Sequence, residues 1–190
     1  MPQQSEVLVV GAGPSGIGAA ITLAQAGIDD VAILEKADDF GGTWRANTYP
    51  GCACDVPSAL YSFSFSPNPD WSRAFAGQQE ILDYLHQTAE RHGLRRRTHF
   101  GTEMTHAQWD DHAQHWVVDT TRGSHVAKFL VSATGPWDEP LVPDIPGLDT
   151  FGGEVFHSSR WNHDYDLTGR SVAVVGSGAS AVQFVPEIQP

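Results

Sequence analysis

Apolar residues recur along this chain with two different periods. Val7-Leu8-Val9-Val10 is short, continuous and mostly β-branched, which predicts a strand buried on both faces of a parallel sheet. From Pro14 to Ala26 the spacing changes. Ile17, Ala20, Ile21 and Ala24 return at helical intervals, and Gly27 stands where a helix stops. Val31-Ala32-Ile33-Leu34 then predicts a second strand, closing a βαβ unit of the usual length, about thirty residues. Further on, Gln78 to His92 reads as an amphipathic helix with Ile81, Leu82, Leu85 and Ala89 on one face and Gly93 as its stop. The runs Ala107–Thr120 and Val126–Ser132 read as the two arms of a β-hairpin, turning near Arg122-Gly123. These patterns predict an α/β fold, a doubly wound parallel sheet with an inserted β-hairpin.

Between the first strand and helix lies Gly11-Ala12-Gly13-Pro14-Ser15-Gly16. In such a turn one glycine allows the tight bend, one lets backbone approach a pyrophosphate, and one lets helix and strand pack closely. An anion then meets unpaired N–H groups and the positive end of the helix dipole. Glu35 ends the second strand, nineteen residues beyond Gly16, where a carboxylate can accept hydrogen bonds from ribose hydroxyls. Strand, helix, strand and acid in register predict a nucleotide site. A second opening follows late in the chain, where Ser171-Val172-Ala173-Val174-Val175 leads into Gly176-Ser177-Gly178-Ala179-Ser180-Ala181. Two such openings predict two nucleotide cofactors. The expected return strand of the second lies beyond Pro190, so the chain reads as the amino-terminal part of something longer.

Composition narrows the partners. The formal net charge of −12 over 190 residues argues against nucleic acid or an anionic membrane, and Arg95-Arg96-Arg97 is the one basic run. No stretch of eighteen apolar residues occurs, and Met1-Pro2-Gln3-Gln4 passes straight into a strand, so a cytoplasmic location is expected. Cys52 and Cys54 are the only cysteines, one residue apart, an awkward spacing for a mutual bridge. The nine histidines form no metal-ligand pattern on a predicted element, and no metal site is expected. After Asp38-Asp39-Phe40-Gly41-Gly42-Thr43-Trp44, the stretch up to about Gly77, rich in Gly, Pro, Ser and aromatics, is the long loop type that is usually functional.

Four segments resemble the flavin-dependent monooxygenases, most closely the type I Baeyer–Villiger branch. Gly11 to Gly16 with Glu35 resembles the family's FAD site, and Gly41-Gly42-Thr43-Trp44 its next signature. Tyr49-Pro50-Gly51-Cys52-Ala53-Cys54-Asp55-Val56-Pro57-Ser58 resembles the segment beside the isoalloxazine and nicotinamide. Phe151 to Trp161 matches the fingerprint F-x-G-x-x-x-H-x-x-x-W through Phe151, Gly153, His157 and Trp161, with Asn162 where Pro or Asp usually follows.

The resemblance implies an FAD-binding Rossmann-like domain over 1–135, a connection over 136–168 and the beginning of an NAD(P)-binding domain over 169–190. It implies flavin contacts at Gly11, Gly13, Pro14, Ser15, Gly16, Glu35, Lys36, Gly42, Thr43, Trp44, Cys54, Asp55, Tyr61 and Met104. NADP contacts fall at Gly176, Gly178, Ala179 and Ser180. Asp55 is expected to pair with an active-site arginine outside these residues, and His157 with Trp161 to organise the hinge. The implied reaction uses FAD, NADPH and O2 to convert a ketone to an ester or lactone. A related N- or S-monooxygenase, and a catalytically incompetent nucleotide-binding module, are the alternatives. A flavin disulfide reductase fits less well, because its redox cysteines are further apart.

Overall fold

The computed structural model describes residues 2–137 and 139–189; expectations that touch Met1, Asp138 and Pro190 lie outside the described residues. Two compact units are present, one made of Met1–Thr43 with Leu82–Pro136, the other of Trp44–Ile81 with Trp137–Pro190.

The first unit is built on a six-stranded mixed sheet. Its strands are β1 (Gln3–Val10), β2 (Val31–Leu34), β3 (Thr98–His99), β4 (Met104–Asp110), β5 (His115–Thr120) and β6 (Gly123–Ser132), in the order β3-β2-β1-β6-β5-β4. β1 pairs in parallel with β2 and β6, in register Val7 with Val31 and with Phe129. Val7, Leu8, Val9 and Val10 are all buried, as a central parallel strand requires. Helix α1 (Pro14–Gln25) buries Ile17, Ala20 and Ile21. Its end is a Schellman motif: Gly27 N–H reaches Ala24 O and Ile28 N–H reaches Leu23 O, each at 3.0 Å, with Gly27 at φ +85°.

The expected hairpin is instead a three-stranded meander. Its first arm breaks at Asp110, whose carboxylate accepts the N–H groups of His112 and Ala113 at 2.9 Å, and Gln114 turns the chain with φ 54°. Trp109 and Trp116 face each other across the new pair. The polar stretch Asp110-Asp111-His112-Ala113-Gln114, read as part of one strand, is a turn made by side-chain oxygens.

The second unit contains helix α2 (Thr43–Ala46) from Trp44 onward, the start of α3 (Gln78–Arg91), and α4 (Ala179–Ile188). Ser171–Val175, expected as a strand, joins no ladder among the described residues, and Val175 is 71% exposed. A strand exists only when a neighbour takes its N–H and C=O groups, and no strand among the described residues pairs with it. No helix among the described residues is long and apolar enough to cross a membrane.

His125 on β6 is buried, with the His99 ring 5.3 Å away. Burial first, and the His99 charge second, hold its pKa below the ordinary histidine value. The unfolded chain therefore takes up this proton near pH 6.5 while the folded chain refuses it, so stability is full above that pH and falls as pH drops toward the folded value. We expect His125→Gln to flatten urea-derived stability against pH below 6.5 by up to about 1.4 kcal/mol per pH unit. Identical pH dependence in both proteins would refute this.

Candidate functional site

In the first unit the glycine turn is held shut by backbone against backbone. Gly11 has φ +106°, its N–H bonds Leu34 O at 2.7 Å, and a Cβ there would lie 2.4 Å from Ala133 O. At Gly16 a Cβ would lie 1.8 Å from Gly11 O. Gly13 meets Gly42: a Cβ on Gly42, at φ +55°, would stand 2.8 Å from Gly13 Cα, and Gly41 N–H donates to Ala12 O at 3.1 Å. The turn and the Gly41-Gly42 corner thus form one continuous strip of backbone without side chains. Gly13 caps α1 without a side-chain acceptor, and Pro14 at the first helical position brings no N–H. No side chain caps this end of the helix, the kind of terminus whose N–H groups and dipole suit an anion.

Glu35, buried at the end of β2, accepts Ala12 N–H at 2.6 Å and Ala37 N–H at 2.8 Å, one on each oxygen. Each carboxylate oxygen retains a lone pair, so ribose hydroxyls and the turn can share this group. Lys36 follows it in the chain. Met104 opens β4 and packs on the buried cluster of Leu8, Val10, Leu34, Val118 and Ala127, so its side chain serves the core.

Sequence reasoning missed what holds the corner before Gly41. Arg95 pairs with Asp39 at 2.9 Å, bonds Glu90, and lies 5.4 Å from the Phe40 and Phe100 ring centres. His86 Nε2 lies 3.1 Å from Phe40 O. Burial works to raise the Asp39 pKa, but the Phe40 N–H and Arg95 outweigh it and leave the carboxyl below its usual range. The signal was present in Arg95-Arg96-Arg97, whose first member has carboxylate and aromatic partners.

The second unit fixes the Tyr49–Ser58 segment. Tyr49-Pro50-Gly51-Cys52 is a type II turn, with Cys52 N–H on Tyr49 O at 3.1 Å and Gly51 at φ +73°. Beyond it Gln78 N–H bonds Cys52 O, Cys54 N–H bonds Ala76 O at 2.9 Å, and Ala76 N–H bonds Ser58 Oγ at 2.7 Å. Cys54 and Ser58 are buried while Asp55 is exposed, so a fixed backbone presents its carboxylate outward. Trp44 Nε1 donates to the Tyr61 hydroxyl at 3.0 Å, the two rings edge to face. Both cysteines are free, and burial pushes both thiols up, away from thiolate chemistry.

The fingerprint also acquires physical content. A Cβ on Gly153 would sit 2.6 Å from the Phe151 ring, so the two residues of the F-x-G pair lie against each other. His157 Nδ1 accepts Ser159 N–H at 3.1 Å, capping the short turn Ser158–Arg160. The Trp161 ring stands 5.2 Å from Phe156 and 5.1 Å from Phe184 of α4. Asn162 takes Asp164 N–H on its side-chain oxygen, a bond an aspartate would also accept. At the second glycine turn, Gly176 has φ +117° and Gly178 caps α4, and among the described residues nothing beyond their own chain neighbours comes within 4 Å of a Cβ at either. Ala179 and Ser180 begin α4 directly after it.

A family model described as pyridine nucleotide-disulphide oxidoreductase matches residues 8–188. A Baeyer–Villiger monooxygenase of Streptomyces coelicolor is 56% identical over 184 residues, covering 97% of this chain and 36% of that protein. One of Pseudomonas aeruginosa is 50% identical over 186 residues, covering 97% and 35%. An oxidized steroid monooxygenase bound to NADP superposes with a TM-score of 0.87 at 43% identity, covering 98% of this chain and 37% of that one. An open cyclohexanone monooxygenase superposes at 0.89 with 38% identity, covering 98% and 37%. The chain thus spans little more than a third of the length of the proteins it matches.

The two glycine turns should respond oppositely to added atoms. Gly16→Ala is expected to cost about 3 kcal/mol or more in urea unfolding, because backbone must move to admit the methyl. Gly178→Ser should stay within about 0.5 kcal/mol of the parent. A cost below about 1 kcal/mol for Gly16→Ala would show that the first turn is not close-packed.

Proposed function

The chain belongs to the pyridine nucleotide-disulphide oxidoreductase family, and from that premise we propose that it is the FAD-holding amino-terminal part of an NADPH-dependent Baeyer–Villiger monooxygenase. The observation that carries the reading is the side-chain-free strip formed by Gly11, Gly13, Gly16 and Gly42, with the buried Glu35 carboxylate at its edge. It fits a dinucleotide: backbone can approach a pyrophosphate closely while a carboxylate stands by for ribose. The names of the similar proteins support the choice of reaction.

In this proposal residues 1–135 form the FAD domain, 136–168 the connection and 169–190 the opening of the NADP domain. Gly11, Gly13, Pro14, Ser15 and Gly16 receive the pyrophosphate, Glu35 and Lys36 the adenosine end, and Gly42, Thr43, Trp44, Cys54, Asp55 and Tyr61 the flavin end. Gly176, Gly178, Ala179 and Ser180 receive NADP. Bound FAD, reduced by NADPH, supplies the chemistry with O2 that no side chain can perform.

The chain's own work is to place and polarise. Asp55, presented by a backbone tied on both sides, pairs with a guanidinium from elsewhere in the complete polypeptide and holds it where negative charge develops. The hydrogen-bonded Trp44–Tyr61 pair gives the flavin end a rigid apolar wall. The substrate is a ketone and the product an ester or lactone; the similarity to steroid and cyclohexanone monooxygenases supports this class. We place the protein in the cytoplasm.

The test supplies the complete FAD-loaded polypeptide with NADPH, a cyclic ketone and 18O2. We expect a lactone carrying one 18O atom. Asp55→Ala should lower kcat/KM by about 100-fold or more, with stability within about 0.5 kcal/mol because the side chain is exposed. Oxygenation of amines or sulfides with ketones untouched, or full activity in Asp55→Ala, would overturn the proposal.

A further inference from the structure

Helix α4 carries one polar residue in its apolar run Ala181-Val182-Gln183-Phe184-Val185, and that residue makes three hydrogen bonds to one segment. Gln183 Oε1 accepts from the Tyr49 hydroxyl at 2.9 Å and from Ala53 N–H at 3.3 Å, while its Nε2 donates to Ala53 O at 2.9 Å. The amide thereby imitates a neighbouring strand, taking both backbone groups of Ala53. Contact extends to the turn before it: a Cβ on Gly51 would lie 2.8 Å from Gln183 O and 2.7 Å from Glu187 Cγ. One turn earlier in α4 the Ser180 side chain hydrogen-bonds Tyr49. Phe184, next to Gln183, holds Tyr49 on one side and Trp161 on the other, at ring distances of 6.2 and 5.1 Å.

A surface helix has no need of a three-bond amide to a segment some 130 residues away. Packing of Phe184 alone would attach α4 and leave it free to slide or turn, since apolar contact is non-directional. The bidentate pairing adds register, fixing Ala53 to one position along the helix. Ala53 lies two residues before Asp55, and Cys54 between them is pinned to Ala76. A shift of α4 therefore reaches Asp55 through a short, hydrogen-bonded path.

We propose that Gln183 is a positioning residue that couples the nucleotide-binding end of α4 to the segment carrying Asp55, so that binding NADP at Gly178–Ser180 sets the placement of that carboxylate. The inference rests on the assignment of α4 to NADP made above. Gln183 touches neither cofactor nor substrate in this role; it acts through Ala53 and Tyr49.

Amide hydrogen exchange on the complete FAD-loaded protein, with NADP+ as the probe, tests it. In the parent, NADP+ should slow exchange both in 179–188 and in 49–58. In Gln183→Leu we expect Ala53 N–H to exchange roughly tenfold faster and the NADP+ response of 49–58 to vanish, while 179–188 and the sheet amides of β1 and β2 behave as in the parent. Gln183→Glu keeps the acceptor and loses the donor, so it should lie between the two and serves if the leucine variant folds poorly. NADPH affinity should remain within about twofold while flavin reduction slows by about tenfold. If NADP+ protects nothing in the parent, the assignment of α4 falls and takes this proposal with it. If 179–188 responds and 49–58 still responds in both variants, the coupling through Gln183 alone is overturned.

Discussion

Everything in the first unit depends on bringing backbone to backbone where side chains would ordinarily intervene. Gly11 against Ala133, Gly16 against Gly11 and Gly42 against Gly13 are contacts at which a single methyl group would collide with main chain. The parallel pairing of β1 with β2 and β6 delivers Gly11, Glu35 and Ala133 to the same edge of the sheet. Glu35 then ties the strip by accepting Ala12 N–H, and Arg95, seated among Asp39, Phe40 and Phe100, steadies the approach to the Gly41-Gly42 corner. The result is a surface with donors and little bulk, the form a pyrophosphate requires.

Much of this was legible because the signals were local. Continuous β-branched residues in β1, the helical recurrence of Ile17, Ala20 and Ile21, and Gly27 at a Schellman end are properties of short windows, and each element formed where its window lay. Where the pattern misled, the deciding partner was distant or hidden in side chains. Ala107–Thr120 has strand composition at its two ends, around Trp109 and Trp116-Val117-Val118, yet the Asp110 carboxylate makes a turn in the polar stretch between them. Ser171–Val175 has strand composition too, and forms no ladder because pairing is a property of neighbours rather than of residues.

The same limit explains the candidate site. The two glycine turns look alike in sequence, but the first is filled by its surroundings and the second stands open. Family resemblance pointed to Asp55 and the fingerprint; the geometry adds that Asp55 is exposed between the buried anchors Cys54 and Ser58, and that the Phe151 ring lies over Gly153. Gln183 escaped notice because an amide in isolation carries no pattern, and Arg95, visible only as part of a basic run, gave no sign of the carboxylates and rings it holds. Only their partners, far off in the chain, reveal what they hold.

A crystal structure of the protein grown with FAD tests the central claim most directly. The account predicts the pyrophosphate within hydrogen-bonding distance of backbone N–H groups between Gly11 and Gly16, with a ribose hydroxyl on the Glu35 carboxylate. FAD seated elsewhere, or Glu35 bound to Ala12 and Ala37 with no ribose contact, would contradict it.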